Sequence, residues 1–221
     1  ADRIPFESPP RPARLALGLY PDAPVVAVLP GSRRAEVGKL GEPFAATIAW
    51  LHARRPQLQF VAPMANPAAR AAFEQALALH APGVKVRLVD GRAQEAQAAA
   101  DAVLVASGTA TLETALIKRP MVVAYRVAPL TSWLLRDLKL MKAEFFAQPN
   151  LLAGRRLVPE YFQDEVRPDV LGPALLEQLE RPDRDELVRA FGDIHRTLRR
   201  DASARAAEAV LELRERHRRP A

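Results

Sequence analysis

The sequence predicts an α/β fold in which helices cover both faces of a doubly wound parallel sheet, and three observations support this prediction. Short apolar segments rich in β-branched residues alternate with helical patterns as far as residue 127. These segments are continuously apolar, whereas a strand with one face in water alternates apolar and polar residues. Glycine or small polar residues follow several segments, where a strand must turn into a helix.

Five strands and four helices are predicted in alternation. The strands are PVVAVLP, LQFVAP, VKVRLVD, ADAVLVASG and PMVVAYRV, at residues 24–30, 58–63, 84–90, 100–108 and 120–127. The first helix follows Gly31 and Ser32 and repeats apolar residues at helical spacing through Leu51. The second helix has Asn66 as its N-cap and Pro67 at its first position. An Ala-rich segment at 94–100 and TATLETALIK at 109–118 are the other two helices.

The chain is predicted to divide into a leading segment, an α/β domain and a helical end. Residues 1–20 open without a methionine in a Pro-rich stretch, which favours a connection from a preceding domain. The α/β domain is placed at 21–165. Beyond Pro129 the pattern is helical to the end, with Gly and Pro breaks, so 166–221 are predicted as helices that pack on this domain or on the missing one.

Composition excludes several classes of protein. The 221 residues contain no cysteine, which rules out disulfides, thiolate metal sites and cysteine nucleophiles and favours a cytoplasmic protein. The histidines lack the spacing of metal ligands, so no metal site is predicted at His52, His80, His195 or His217. No apolar run reaches the length of a membrane span, and the start lacks the apolar core of a signal peptide.

Charge favours a polyanionic partner. A net charge of +6 and an isoelectric point near 10.1 suit a nucleotide, a nucleic acid or an anionic lipid surface. Much of the excess lies in the tail from Arg196 to Arg219, where a solvated helix face with Glu–Arg pairs is favoured over a binding patch. The segment PLTSWLLRDLKLMKAEFFAQ, at 129–148, is apolar and basic, and a core helix is favoured over a membrane-facing patch.

The turn after the first strand is the first candidate site, because ligands bind beyond the carboxyl ends of the strands in an open parallel sheet. In PGSRRAEV, the glycine allows close approach to the backbone, the helix start offers amide donors, and an arginine can grip phosphate oxygens. This sequence suits a diphosphate-binding turn, but it also suits an ordinary tight turn with Ser32 as the N-cap of the helix.

The turn ASGTATLE carries a stronger signal for a nucleotide. Ser107, Gly108 and Thr109 place hydroxyls and unhindered amides at a helix start, and Glu113 lies one turn further on the same face. Its carboxylate can accept both hydroxyls of a ribose while the amides bind phosphates. A Ser/Thr N-cap with an acid one turn later is the alternative. No GxGxxG, P-loop or GxSxG motif occurs, so dinucleotide oxidoreductases, P-loop NTPases and α/β-hydrolases lack their main support.

Three blocks resemble the lipid A disaccharide synthase family in order and spacing: PGSRRAEV, ASGTATLETALIKRPMVVAYRV and QPNLLAGRRLVPEYFQ. The resemblance extends to FGDIHRTLRRDASARAAEAVLEL near the end. It implies a B-type glycosyltransferase with two Rossmann-like domains, of which this chain is the UDP-sugar-binding half. It also implies an inverting hexosyltransferase that moves 2,3-diacylglucosamine from UDP to 2,3-diacylglucosamine 1-phosphate (lipid X). The motifs imply no metal or cofactor, and this half alone is expected to be inactive.

The resemblance also assigns residues and partners. The assigned residues are Arg33 as the catalytic group and Ser32, Ser107, Gly108, Thr109 and Glu113 as donor contacts, with Asn150 and Gln163 as further candidates. In this assignment Arg33 and Ser32 approach the donor diphosphate, the second turn holds it, and Glu113 binds the ribose. For Asn150 and Gln163, a loop-ordering amide is an equal alternative. The general base and the lipid X site are assigned to the other half.

The expected setting is the cytoplasmic side of the inner membrane of a Gram-negative bacterium, with peripheral membrane contact and homodimer formation left open. Nucleic acid is not expected as a partner. Two alternatives remain. Another sugar-nucleotide enzyme of the same architecture, such as a UDP-GlcNAc epimerase, needs its own acid and base in the cleft. A basic nucleic-acid-binding module has the charge but no recognised motif or aromatic platform.

Overall fold

The computed structural model describes residues 1–127, 144–201, 205–208 and 210–211. The helices of these parts are α1 (Pro10–Ala16), α2 (Arg34–Arg54), α3 (Pro67–His80), α4 (Ala93–Ala99), α5 (Thr109–Leu116), α6 (Gln148–Ala153), α7 (Pro168–Glu180) and α8 (Arg184–Leu198). The strands are β1 (Val25–Leu29), β2 (Gln59–Met64), β3 (Val86–Asp90), β4 (Ala102–Ala106), β5 (Met121–Tyr125) and β6 (Glu160–Phe162).

The strands form one parallel sheet in the order β3-β2-β1-β4-β5-β6. In β1, Val26 lies opposite Phe60 of β2 on one side and opposite Ala102 of β4 on the other. The strands β2 and β3 are therefore added on one side of β1. The chain then crosses to the other side of β1, where β4, β5 and β6 are added. This order confirms the predicted doubly wound α/β fold and places a topological switch point between β1 and β4.

Helices cover both faces of the sheet, so the strands read as continuous apolar runs. Successive side chains of β1 enter different cores. Val26 and Val28 pack with α2, α3 and α7, whereas Val25, Ala27 and Leu29 pack with α4, α5 and α8. All five residues of β1 are buried. The predicted N-cap of α3 is also confirmed, since the Asn66 side chain accepts a hydrogen bond from the amide of Ala69 at 2.9 Å.

One prediction for the second half of the chain is wrong. The pattern beyond Pro129 is not helical throughout, because β6 adds a sixth parallel strand beside β5, with Ala124 opposite Tyr161. Three residues at the edge of a sheet carry no periodicity that a sequence can show. Residues 128–143, which include most of the apolar and basic segment interpreted above as a core helix, lie outside the described residues, and so do 212–221 of the arginine-rich tail.

The segment before β1 packs on the α/β core. Leu17 and Leu19 are buried in the core that contains α4 and α8. The guanidinium of Arg14 donates to the carbonyl of Ala99 at 2.8 Å and to the carboxylate of Asp101 at 2.7 Å. Asp101 in turn accepts from the amide of Val25, the first residue of β1. These bonds fix the entry of the chain into the sheet, while the division at residues 20 and 165 stays a prediction.

Candidate functional site

A cleft of about 540 Å³ opens at the carboxyl ends of β1 and β4, at the switch point of the sheet. The turns that follow β1, β2, β3 and β4 and the end of β5 form its walls. The lining residues include Gly31, Ser32, Arg33, Glu36, Gly91, Ser107, Gly108, Thr109, Ala110, Glu113 and Tyr125. Six of the eight predicted site residues are in this set, and the two that are not are Asn150 and Gln163.

The first turn is closed by a carboxylate that the sequence analysis overlooked. Glu36, in the first turn of α2, accepts hydrogen bonds from the amides of Ser32 at 2.9 Å and Arg33 at 3.3 Å. Its other oxygen accepts from the Arg33 guanidinium at 2.8 Å. The amides at this helix start are thus engaged by the protein's own anion, contrary to the expectation of free donors. The N-cap of α2 is Arg33 and not Ser32.

Gly31 has a definite structural reason to be glycine. Its φ of +125° lies in a region that side chains disfavour. A Cβ atom at this position would lie 2.6 Å from the Cβ of Glu36 and 2.9 Å from its carboxylate oxygen. The glycine therefore lets the Glu36 side chain fold back over the turn, which is a packing role in addition to close approach by a ligand.

Glu36 makes the stability of this turn depend on pH. Partial burial raises its pKa, but the amides of Ser32 and Arg33 and the Arg33 guanidinium lower it by more, so the net pKa lies below the ordinary value. A carboxyl with a depressed pKa contributes stability above its unfolded pKa and loses it as pH falls through its folded pKa. Because the side chain is 37% exposed, solvent screening limits the contribution to less than about 1 kcal/mol.

Urea unfolding at neutral pH and at acidic pH below the ordinary carboxyl range tests this prediction. We expect Glu36→Gln to lose less stability on acidification than the parent chain, since the glutamine does not titrate. Glu42→Gln, at an exposed position of the same helix, is the matched control and should follow the parent chain. Identical acid sensitivity in all three chains contradicts the role given to Glu36.

The turns after β2 and β3 contribute backbone groups to the cleft more than charged side chains. The amide nitrogen of Asn66 donates to the carbonyl of Ser32 at 2.8 Å and ties the first turn to the start of α3. After β3, the amide of Gly91 donates to the carbonyl of Met64 at 2.7 Å. The charged residues beside it are paired elsewhere: Asp90 with Arg70, and Arg92 with Glu95. This turn therefore presents mainly backbone to the cleft.

The turn after β4 presents an open helix start. Gly108 is the N-cap of α5, and among the described residues no side chain caps this helix. Helix geometry leaves the amides of Thr109 and Ala110 without an intrahelical partner, and their dipoles favour an anion. The hydroxyl of Ser107 is 3.4 Å from the carbonyl of Phe146, and its amide donates to Ala124, so Ser107 also fixes the turn. The side-chain cap that was the alternative interpretation is not formed.

Glu113 lies half-buried one turn along α5 and lines the same cleft, as the sequence spacing predicted. Tyr125, at the end of β5, is a lining residue that the sequence analysis missed. Its ring lies 6.0 Å from the ring of Phe146 and 5.9 Å from that of Phe162. The signal was its place as the last residue of a strand, where a side chain reaches the ligand-binding edge.

The hydrogen bonds of Asn150 favour the loop-ordering alternative over a donor contact. Its side chain is fully buried and is outside the cleft. The oxygen accepts from the amides of Leu157 at 2.7 Å and Val158 at 3.0 Å. The nitrogen donates to the carbonyl of Val158 at 2.8 Å and to the carboxylate of Glu160. Both donors and both acceptor sites are used, which leaves none for a ligand.

Gln163 also orders a loop. Its side-chain oxygen accepts from the amide of Val127 at 2.8 Å, and its carbonyl accepts from Arg126 at 3.2 Å. These bonds join the residues after β6 to the residues after β5. For both Asn150 and Gln163, the structure favours the loop-ordering alternative over a donor contact.

Comparison with known proteins shows the family of the chain. The model of the family described as lipid-A-disaccharide synthetase matches residues 1–212. The chain belongs to that family. The lipid-A-disaccharide synthase of Pseudomonas syringae pv. syringae is 52% identical over 213 residues, which are 96% of this chain and 54% of that protein. The one from Hahella chejuensis is 47% identical over 218 residues, which are 99% of this chain and 54% of that protein.

Solved structures show the fold of this lipid-A-disaccharide synthetase family member but share little sequence with it. WaaG, a glycosyltransferase involved in lipopolysaccharide biosynthesis, gives a TM-score of 0.55 at 17% identity, over 87% of this chain and 47% of that one. UDP-GlcNAc 2-epimerase from Neisseria meningitidis bound to UDP-GlcNAc gives 0.52 at 17% identity, over 91% and 48%. The chain spans about half the length of the curated relatives it matches.

The described residues contain neither a membrane-spanning helix nor a cluster of metal ligands. None of the helices in these parts has both the length and the apolar character needed to cross a bilayer. Across the same residues, no three histidine or acidic side chains are grouped as metal ligands. The sequence-based expectation that this family member holds no metal stays a prediction.

Proposed function

We propose that this chain is the UDP-sugar-binding half of a lipid A disaccharide synthase. The proposed reaction transfers 2,3-diacylglucosamine from UDP to the 6-hydroxyl of 2,3-diacylglucosamine 1-phosphate, forms a β-1,6 linkage and releases UDP. Membership of the family supports the reaction, and the uncapped start of α5 at the switch-point cleft is the observation that carries the proposed donor site. Anions bind at such helix starts through free amides and the helix dipole.

The residues at the start of α5 and Tyr125 have separate roles in the proposed complex with UDP-sugar. The amides at Gly108, Thr109 and Ala110 bind the β-phosphate, and the hydroxyl of Thr109 lies at the same helix start. Glu113 accepts hydrogen bonds from the ribose hydroxyls, because it lies one turn along the same helix face. The ring of Tyr125, held by two phenylalanine neighbours, is a wall against which a base or sugar can pack.

Arg33 is proposed to act when the glycosidic bond breaks and negative charge grows on the leaving UDP. Its side chain is 82% exposed at the cleft, and within the described parts of the chain only Glu36 holds its guanidinium. A donor diphosphate competes with the Glu36 carboxylate for this guanidinium. Fixed amides and one mobile arginine then stabilise the developing charge of the transition state.

Calorimetric titration tests donor binding. We expect UDP to bind more tightly than UMP, because only UDP carries the β-phosphate that reaches the start of α5. We expect UDP also to bind more tightly than GDP, and a chelator to leave its affinity unchanged. Glu113→Ala and Arg33→Ala should each weaken UDP binding by about tenfold, since each removes a charge-assisted hydrogen bond.

Glu42→Ala is the control for the loss of a carboxylate on a helix outside the cleft, and it should bind UDP like the parent chain. Circular dichroism of each variant shows whether the fold is intact. Unchanged UDP affinity in both Glu113→Ala and Arg33→Ala contradicts the proposed site.

The remaining parts of the reaction are proposed to lie in the portion of the relatives that this chain does not match. That portion would bind lipid X and supply the general base that deprotonates the acceptor hydroxyl. The proposed setting is the cytoplasmic face of the inner membrane, because both substrates carry acyl chains. Inactivity of this half alone, and full activity after it is joined to the other half of a relative, are the corresponding tests.

A further inference from the structure

A second cavity, of about 500 Å³, lies at the opposite edge of the sheet from the cleft. Lys118 and Arg119 in its wall come just before β5, whereas the cleft residue Tyr125 ends that strand. A strand of this length separates the two edges by about 13 Å. The wall is completed by the segment around Phe6 and by one face of α8. We call it the basic cavity, and its charged wall residues are Lys118, Arg119, Arg184, Arg189, Arg196 and Glu7.

The basic cavity has five cationic side chains in its wall and one carboxylate. Arg196 forms an ion pair with Asp193 on its own helix. Arg184 and Arg189 form no ion pair within the parts of the chain that the structure describes. Arg184 and Arg189 therefore line the cavity without an ion-pair partner among the described residues.

The two innermost cations are bonded only to neutral groups. Lys118 is 9% exposed, and its ammonium donates to the carbonyl of Leu116 at 2.8 Å and to Nδ1 of His195 at 2.9 Å. Arg119 is 8% exposed and donates to the carbonyls of Ala98 and Ser8. Its Nε is buried and has no partner among the described residues. Neither Lys118 nor Arg119 forms an ion pair with a carboxylate among the described residues.

The clustering of these cations has an electrostatic cost. Burial lowers the pKa of Lys118 to about 8, with the neighbouring Arg119 and Arg196 contributing. Burial likewise lowers the pKa of Arg119 to about 10, with Arg184 contributing. Both groups are therefore less favourable as cations here than in water, and a bound anion would raise both pKa values.

We infer that the basic cavity binds a phosphate group, as free phosphate or as a phosphomonoester. Arginine pairs bind phosphate oxygens through several N–H donors at once, and a lysine adds a point charge. The apolar part of the wall, Phe6, Ile117 and Val188, leaves room for a carbon substituent on the phosphate. The site is separate from the donor cleft, and it stands even if the proposed donor site is wrong.

Titration with inorganic phosphate, followed by calorimetry and by the thermal unfolding midpoint, tests this site. The parent chain should bind phosphate saturably and be stabilised by it. The double variant Arg184→Ala/Arg189→Ala should bind at least about tenfold more weakly, because it removes charge-assisted hydrogen bonds. Arg189 is exposed and Arg184 is half-buried, and neither forms an ion pair among the described residues, so the variant should fold like the parent.

The control is Arg155→Ala/Arg167→Ala, which makes the same change in net charge at two exposed arginines outside the basic cavity. It should bind phosphate like the parent chain. UDP affinity should be equal in the parent chain and in both double variants, which separates this site from the donor cleft. Cosedimentation with phosphatidylcholine vesicles, with and without phosphatidic acid, identifies the source of the phosphate group.

Binding to phosphatidic acid vesicles that is lost in Arg184→Ala/Arg189→Ala identifies a lipid headgroup as a ligand. Loss of inorganic phosphate binding alone identifies a soluble phosphate compound, and both results support the site. Equal binding by the two double variants to phosphate and to vesicles overturns the inference, and so does the absence of saturable binding of either probe to the parent chain.

Discussion

Asn150→Ala is expected to lower the free energy of unfolding by about 2–4 kcal/mol. The substitution leaves the amides of Leu157 and Val158 and the carbonyl of Val158 without partners in a buried loop. Each buried group left unpaired costs about 1–3 kcal/mol, and partial relaxation keeps the total below the sum. It also releases the Glu160 carboxylate, which accepts from the amide of Phe146 at 2.8 Å.

Urea unfolding of Asn150→Ala measures this loss, and Gln163→Ala is the matched control. Gln163 is half-buried and its side-chain oxygen accepts one hydrogen bond, so its replacement should cost only about 1 kcal/mol. Below the unfolding transition, Asn150→Ala should retain the UDP affinity of the parent chain. A variant of full stability that fails to bind UDP would show that Asn150 contacts the donor after all.

Gly108→Ala is expected to weaken UDP binding by about 10- to 100-fold. The open start of α5 depends on this residue, whose φ of +153° and ψ of −162° form a conformation that is essentially confined to glycine. An added Cβ atom meets no atom of the described residues within 4 Å, so it would extend into the cleft. There it would block phosphate oxygens from the amides, each worth about 1.5–3 kcal/mol as a bond to a charged group. The strained backbone should also cost about 1–3 kcal/mol of stability.

Gly154→Ala separates strain from the loss of the ligand site. Gly154 ends α6 with φ +62° and also has open space around its Cβ position, but it lies outside the cleft. We expect this variant to lose stability and keep UDP affinity. Calorimetry and urea unfolding of the two variants give both quantities. If Gly108→Ala binds UDP like Gly154→Ala does, the α5 start is not the phosphate site.

The elements that the sequence predicted well are those whose signal is local. Each of the strands β1 to β5 is a short apolar run between turn residues, and burial on both faces requires that pattern whatever the partner strands are. The Asn66-Pro67 start of α3 is equally local, because the cap and the amide it accepts from are three residues apart. The turns after β1 and β4 could be identified as a site because parallel strands bring their carboxyl ends to one edge.

The features that the sequence did not predict depend on pairs that are distant in the chain or on competition between neighbours. β6 is a strand because β5 offers it an edge, and its three residues show no period of their own. The motif around Arg33 contains the residues of a phosphate site, but Glu36 engages the same amides and the same guanidinium. Residue spacing alone does not show whether such a hydrogen-bond donor binds a carboxylate of the same chain or a ligand.

By itself, the sequence determined a doubly wound α/β fold, two of the turns that line the cleft, and membership of a family that its motifs resemble. The tertiary structure decided which polar groups are hydrogen-bonded within the protein and which remain available to a ligand. It saturates Asn150 inside a loop, leaves the start of α5 uncapped, and gathers the cations of the basic cavity from the segment before β5 and from α8, more than 60 residues later. The physical reason is that apolar periodicity reflects the burial of neighbouring residues in the sequence. Hydrogen-bond partners and charge clusters depend instead on which distant segments pack together, and no local pattern encodes that.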